Sequence, residues 1–99
     1  MKIPEKLQIS GKEYQVIIQD VIKEKDNSKS LGIIKYTETK ILIAKENDYG
    51  KCSKESINHT FLHEAVHGAL SAIGYEDMSS DEKFVDAFSD ILYQIIKQI

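Results

Sequence analysis

The sequence contains no Arg, a single Cys and no apolar run longer than the four residues from Ile41 to Ala44. Each absence removes a class of protein. A membrane-spanning helix needs about 20 predominantly apolar residues in succession, so no membrane span and no membrane partner are expected. A secretory signal needs an apolar stretch of about 7–15 residues, whereas residues 1–14 carry a charge every few positions. The expectation is therefore a cytoplasmic protein. Cys52 has no partner for an internal disulfide, which excludes a disulfide-stapled mini-protein and fits a reducing compartment. Without Arg the chain lacks guanidinium, the commonest source of bidentate contacts to guanine and phosphate, and no nucleic-acid partner is expected.

What remains is the composition of one compact soluble domain spanning 1–99, with 41% hydrophobic and 29% charged residues and a formal net charge of −3. The charge is unevenly placed. Residues 1–50 carry nine Lys against eight acids, and residues 51–99 carry four Lys against eight acids. The second half thus repels phosphates and suits a cation.

The first half reads as strands. Leu7 to Ile9 and Tyr14 to Ile18 are rich in β-branched and aromatic residues and are joined by a turn at Ser10-Gly11-Lys12. A second pair, Leu31 to Thr37 and Lys40 to Lys45, is linked through Glu38-Thr39, and its nearly continuous apolar run calls for cover on at least one face. The charged segment from Lys23 to Ser30 reads as a solvated connection. After the turn at Asn47 to Gly50 the period becomes helical. Ser53 is a good N-cap, and Ile57, Phe61, Ala65 and Ala69 recur at four-residue spacing until Gly74, which predicts a helix over about 54–73. A second helix is expected to open at Ser79-Ser80-Asp81-Glu82, with serine as N-cap, and to carry Phe84, Phe88, Leu92 and Ile96 to the end of the chain. The expected architecture is α+β: a small antiparallel sheet of three or four strands followed by an antiparallel helical hairpin.

The first of those helices carries His63-Glu64-Ala65-Val66-His67, an HExxH pattern. Positions i and i+4 share a helix face about 6 Å apart, so both imidazoles can bind one tetrahedral zinc ion. Glu64 then projects beside them toward the position left to solvent. With three His and nine Glu in 99 residues, random placement produces this pattern about once in a hundred such chains. His59 extends the stripe, but His59 and His67 are separated by a rise of about 12 Å and cannot share an ion. His59 could pair only with His63, and it is expected to line a cleft or face solvent.

A catalytic zinc site takes three protein ligands, and the second helix offers Glu82 and Asp86, four residues apart. An antiparallel return from residue 80 reaches the level of His67 near Asp86, whereas the longer Glu82 side chain or a descending loop favours Glu82. Glu82 also stands at the third position from Ser79, where a capping-box glutamate belongs. Residue spacing leaves the choice open. Cys52 offers an extra ligand, a redox-sensitive thiol near a helix start, or an isolated thiol.

From about Ile33 to Leu92 the chain resembles the zincin metallopeptidases, most closely the small gluzincin-like group typified by the ImmA/IrrE-type bacterial and phage enzymes. Their layout is strand, HExxH helix, then a second helix opening E-x-x-A-N-x-F-A. Here that segment reads Glu82-Lys83-Phe84-Val85-Asp86-Ala87-Phe88-Ser89, matching at Glu82 and Phe88 and carrying Asp86 in place of the usual Asn. The resemblance implies Zn2+ as cofactor, His63, His67 and Glu82 as ligands, Asp86 as partner of a ligand histidine's outer nitrogen, and Glu64 as general base. It also implies a protein or peptide substrate, such as a bacterial or prophage regulatory protein. In zincins the strand preceding the active-site helix borders the cleft, so by the same resemblance Thr39 to Lys45 or its neighbour would pair with an extended substrate. Where the family continues into further structure, this chain runs from Ile91 to Ile99 and stops. It resembles a minimal version whose cleft a protein partner could complete.

The expected chemistry is peptide-bond hydrolysis by a metal-activated water, with Tyr36, Tyr49, Tyr75 and Tyr93 as candidates for a second oxyanion donor. Two other classes compete. One is a catalytically inactive, zinc-stabilised protein-binding module, since a short chain gains from a metal staple. The other is a metal-free helical hairpin that binds a partner.

Overall fold

The computed structural model describes residues 1–99. Eight strands precede three helices: β1 (Lys6–Ile9), β2 (Lys12–Gln19), β3 (Ile22–Lys23), β4 (Lys29–Ser30), β5 (Gly32–Lys35), β6 (Lys40–Ala44), β7 (Glu46–Asn47), β8 (Gly50–Lys51), α1 (Lys54–Ala72), α2 (Glu76–Ser79) and α3 (Glu82–Lys97). The class is α+β, as the change of period along the sequence requires.

The sheet is not the antiparallel one expected. Its order is β1-β2-β6-β5, and although the β1/β2 and β5/β6 hairpins are antiparallel, β2 and β6 pair in parallel, with Val16 opposite Ile41 and Ile18 opposite Ile43. The reason lies in β6. Ile41, Ile43 and Ala44 are its buried residues, so the strand gains most from a central place flanked on both sides. The β5/β6 hairpin therefore docks through β6 and leaves β5 at the edge. The connection read as solvated is also partly ordered, since β3 and β4 form a two-residue ladder within it. At the β1/β2 turn Ser10 and Gly11 both have positive φ, +47° and +84°. A two-residue hairpin whose twist matches its strands requires that conformation.

Helix α1 begins at Ser53, whose hydroxyl accepts from the Ser56 N–H. It ends in a Schellman motif: Gly74, at φ +87°, donates to the Ser71 carbonyl, and the Tyr75 N–H donates to the Leu70 carbonyl. The sheet covers one side of this helix and α3 another, which is why Phe61, Leu62 and Val66 are buried together with the polar Asn58, Thr60 and Glu64. Gly68 permits the close approach to the sheet, because a Cβ there would stand 2.9 Å from the methyl tips of Ile34 and Ile9.

The two long helices are not joined by a simple turn. A short helix, α2, intervenes, and α3 is capped by Asp81, which accepts from the Phe84 N–H, rather than by Ser79. Contacts then step forward along α1 as they step back along α3. Lys97 pairs with Glu55, the buried Asn58 amide donates to the Tyr93 hydroxyl, and His63 faces Glu82 and Asp86. Tyr93 joins Tyr14, Ile41, Ile43, Phe61 and Leu62 in the core. No helix is long and apolar enough to cross a membrane.

Candidate metal centre

The i, i+4 spacing on α1 sets the His63 and His67 rings 4.9 Å apart, centroid to centroid. The first residue of α3 closes the group. His63 Nε2 lies 3.1 Å from Glu82 Oε2, and His67 Nε2 lies 2.9 Å from Glu82 Oε1. One ligand atom from each of His63, His67 and Glu82 falls within 4.8 Å of the others. Donor atoms about 2.0–2.2 Å from a tetrahedral zinc stand about 3.3 Å from one another, so small outward shifts would admit an ion. Two imidazoles and a carboxylate are also a donor set that catalytic zinc uses. The residues present therefore fit the metal.

Both histidines present Nε2 inward because their other nitrogen is engaged outside. Asp86 Oδ1 stands 3.5 Å from His63 Nδ1, and Ser79 Oγ stands 3.4 Å from His67 Nδ1 while donating to the His67 carbonyl at 3.1 Å. Glu82 belongs to the cluster and Asp86 to the support of a histidine. The simple return from residue 80 mislocates them because α2 resets where α3 begins. Glu82 is the first residue of α3, not the third after a cap, so the capping-box role does not arise.

Glu64 lies against β5 with only 8% of its surface accessible. Burial pushes its carboxyl up to about 7, and repulsion from Glu82 adds to the rise. The backbone N–H of Ile34 opposes it. Gly32 makes room for this packing. A Cβ at that position would stand 2.6 Å from Thr60 Cγ2 and 3.3 Å from Glu64 Cγ.

The group opens into a cleft of about 580 Å³ whose walls include β5, His59, Tyr36 and α2. In the β5/β6 ladder Leu31 accepts from Ala44, which makes 31/44, 33/42 and 35/40 the hydrogen-bonded pairs. The main-chain groups of Gly32 and Ile34 therefore turn away from β6, toward the cleft side. β6 itself has neighbours on both sides and offers no free edge, so of the strands Thr39 to Lys45 and its neighbour, only the neighbour β5 borders the site.

Other candidates separate clearly. Of the four tyrosines considered as oxyanion donors only Tyr36 lines the cleft. Burial raises its phenol above the usual value, and its hydroxyl faces Ser79 and Ser71. Tyr49 is 98% exposed, Tyr75 is exposed, and Tyr93 is in the core. His59 lines the cleft with a buried Nε2 that lacks a hydrogen-bond partner. Cys52 is half-buried and outside the metal-ligand group. Two contributors escape sequence reasoning: Ser79, whose place before two acids reads as a cap, and Gly32, whose role depends on a helix 30 residues away.

The chain matches no protein-family model, no curated protein and no solved structure. The functional reading accordingly rests on residues and geometry.

Proposed function

We propose that this chain is a zinc-dependent metallopeptidase of minimal zincin type, similar in its motifs to the ImmA/IrrE-type enzymes. The observation that carries the reading is the convergence of His63, His67 and Glu82 beside a buried Glu64 at the edge of a cleft. Zinc held by those three residues would supply Lewis acidity, acidifying water and polarising a peptide carbonyl.

The other roles belong to the chain. A Glu64 carboxyl with affinity for protons near neutrality is suited to take a proton from water and deliver it to the departing amine nitrogen. Asp86 holds His63 through Nδ1 and so keeps Nε2 directed inward. Of the outward main-chain groups of β5, the Gly32 carbonyl is taken by Ser30 Oγ and the Ile34 N–H faces Glu64, so an extended peptide laid across the site would pair with the remaining two, the Gly32 N–H and the Ile34 carbonyl. Tyr36 is the tyrosine placed to face the bound peptide. The proposed substrate is a protein or peptide, with a bacterial or phage regulatory protein the class that the resemblance favours.

The test is hydrolysis of a degenerate fluorogenic peptide mixture by zinc-loaded protein. Wild type is expected to cleave, and Glu64→Gln is expected to retain fold and zinc while losing cleavage. Equal activity in the variant overturns the mechanism. One zinc per chain with no cleavage by wild type supports the inactive, zinc-stabilised binding module instead.

A further inference from the structure

We propose that the cleft selects a basic side chain in its peptide substrate, with the Glu76 carboxylate and the Tyr36 ring as the subsite that holds the cationic group. The inference deepens the metallopeptidase reading and rests on it for the position of the scissile bond.

The cleft has a direction. β5 and α1 run side by side along it: Gly32 lies against Thr60 and Glu64, Ile34 against Gly68, and the Tyr36 hydroxyl faces Ser79 and Ser71. Ser30 and His59 therefore mark one end and Tyr36 and Glu76 the other, with His63, His67 and Glu82 between them.

The charge of the cleft is one-sided. Glu64, Glu76, Glu82 and Asp86 line it, and none of the 13 Lys of the chain does. Lys12 lines a separate cavity of about 260 Å³ that shares only the Tyr36 wall. Three of the four carboxylates belong to the metal group: Glu82 joins the two histidines, Asp86 backs His63, and Glu64 is buried against β5. Glu76 is left over. It is exposed and accepts a hydrogen bond from the Ser71 hydroxyl, while the lysine ion pairs of the chain all go to other acids. Tyr36 is 38% exposed and near enough for the Glu76 charge to oppose ionisation of its phenol. A cationic side chain placed there gains an ion pair, the attraction of an aromatic ring and the field of a cleft of one sign. Ser71 lies one turn beyond His67, a rise of about 6 Å, which an extended peptide covers in about two residues. The basic residue thus belongs about two positions from the scissile bond, on the Tyr36 side.

The test uses zinc-loaded protein and peptide libraries that fix Lys, Gln or Glu at each position in turn. Wild type is expected to favour Lys over Gln about 5–30-fold at one position, with Glu the poorest, because an exposed ion pair and a cation–π contact add there. Most of that preference should vanish in about 0.5 M KCl, where screening shortens to about 4 Å. Glu76→Gln keeps an acceptor for the Ser71 hydroxyl and is expected to cut the preference about 3–5-fold, whereas Glu76→Lys should turn it toward Glu. No preference for Lys, a preference spread evenly over all positions, or one unchanged in Glu76→Gln overturns the inference, while cleavage itself upholds the metallopeptidase reading. The wild-type preference and its salt dependence decide the matter even if the variants fail to fold. Fluorescence anisotropy of labelled Lys, Gln and Glu peptides reads the same subsite without turnover. Selective capture of the Lys peptide, abolished in Glu76→Gln, with no cleavage leaves the basic subsite standing and the metallopeptidase reading fallen; neither cleavage nor capture overturns both.

Discussion

Glu64 links the site to the stability of the metal-free protein in a way that can be measured without a substrate. Its carboxyl is raised from an ordinary 4.5 to about 7, chiefly by burial. Between those values the folded protein binds a proton that the unfolded chain has released. The stabilisation is therefore complete below about pH 4.5 and is lost as pH rises toward and through 7. At 1.36 kcal/mol per pH unit the loss amounts to about 3 kcal/mol, a large share of the roughly 5–15 kcal/mol that holds a small domain together. Glu64→Gln keeps the shape and an acceptor for the Ile34 N–H but cannot titrate. Urea denaturation with a chelator present, followed by circular dichroism from pH 4.5 to 8, should show wild type losing stability relative to Glu64→Gln across this window. Comparing the two proteins cancels the carboxylates they share, including Glu55 and Asp26, whose hydrogen bonds hold them below their usual values. A difference that stays flat with pH would refute the assignment of Glu64 as a desolvated carboxyl.

Other expectations follow from single contacts. Gly32→Ala sets a methyl 2.6 Å from Thr60 Cγ2 and 3.2 Å from the Leu42 carbonyl, and should cost about 1–3 kcal/mol in thermal or urea melts. Thr39, a β-branched residue at φ +52°, is strained, and Thr39→Asn should raise stability by about 0.5–1 kcal/mol because Asn tolerates that conformation. Glu82→Gln should lose stoichiometric zinc, whereas Asp86→Asn should retain it with about 10–100-fold weaker affinity, read by competition with a chelator. The reverse ranking would exchange the roles of the two acids. Breaking the exposed Lys97–Glu55 pair with Glu55→Gln should change stability by no more than about 1 kcal/mol.

The features legible in the sequence are those that local physics decides. The HExxH residues lie together because a helix places i and i+4 on one face, and the helix itself is marked by the Ser53 cap and by Gly74 at its end. The two strand pairs are equally local, each closing through a short turn. The parallel pairing of β2 with β6 is not, because it depends on which strand of a hairpin gains most from a central position. The choice between Glu82 and Asp86 is hidden for a related reason. It turns on α2, whose four residues carry no helical periodicity of their own, yet decide where α3 starts and which acid reaches Nε2. Ser79 shows the limit most clearly. A serine followed by Ser80, Asp81 and Glu82 has the local character of an N-cap, and only the packing of α2 under His67 turns its hydroxyl toward the ring.

The central claim is that His63, His67 and Glu82 hold one zinc ion with a position left open. X-ray absorption on zinc-loaded protein, normalised to metal content per chain, addresses it most directly. One zinc per chain is expected, with two imidazole nitrogens and a carboxylate oxygen as protein ligands and a water oxygen completing the shell, and with that signal lost in His67→Ala. Substoichiometric zinc indifferent to His67, or a shell closed by a fourth protein ligand, would contradict it.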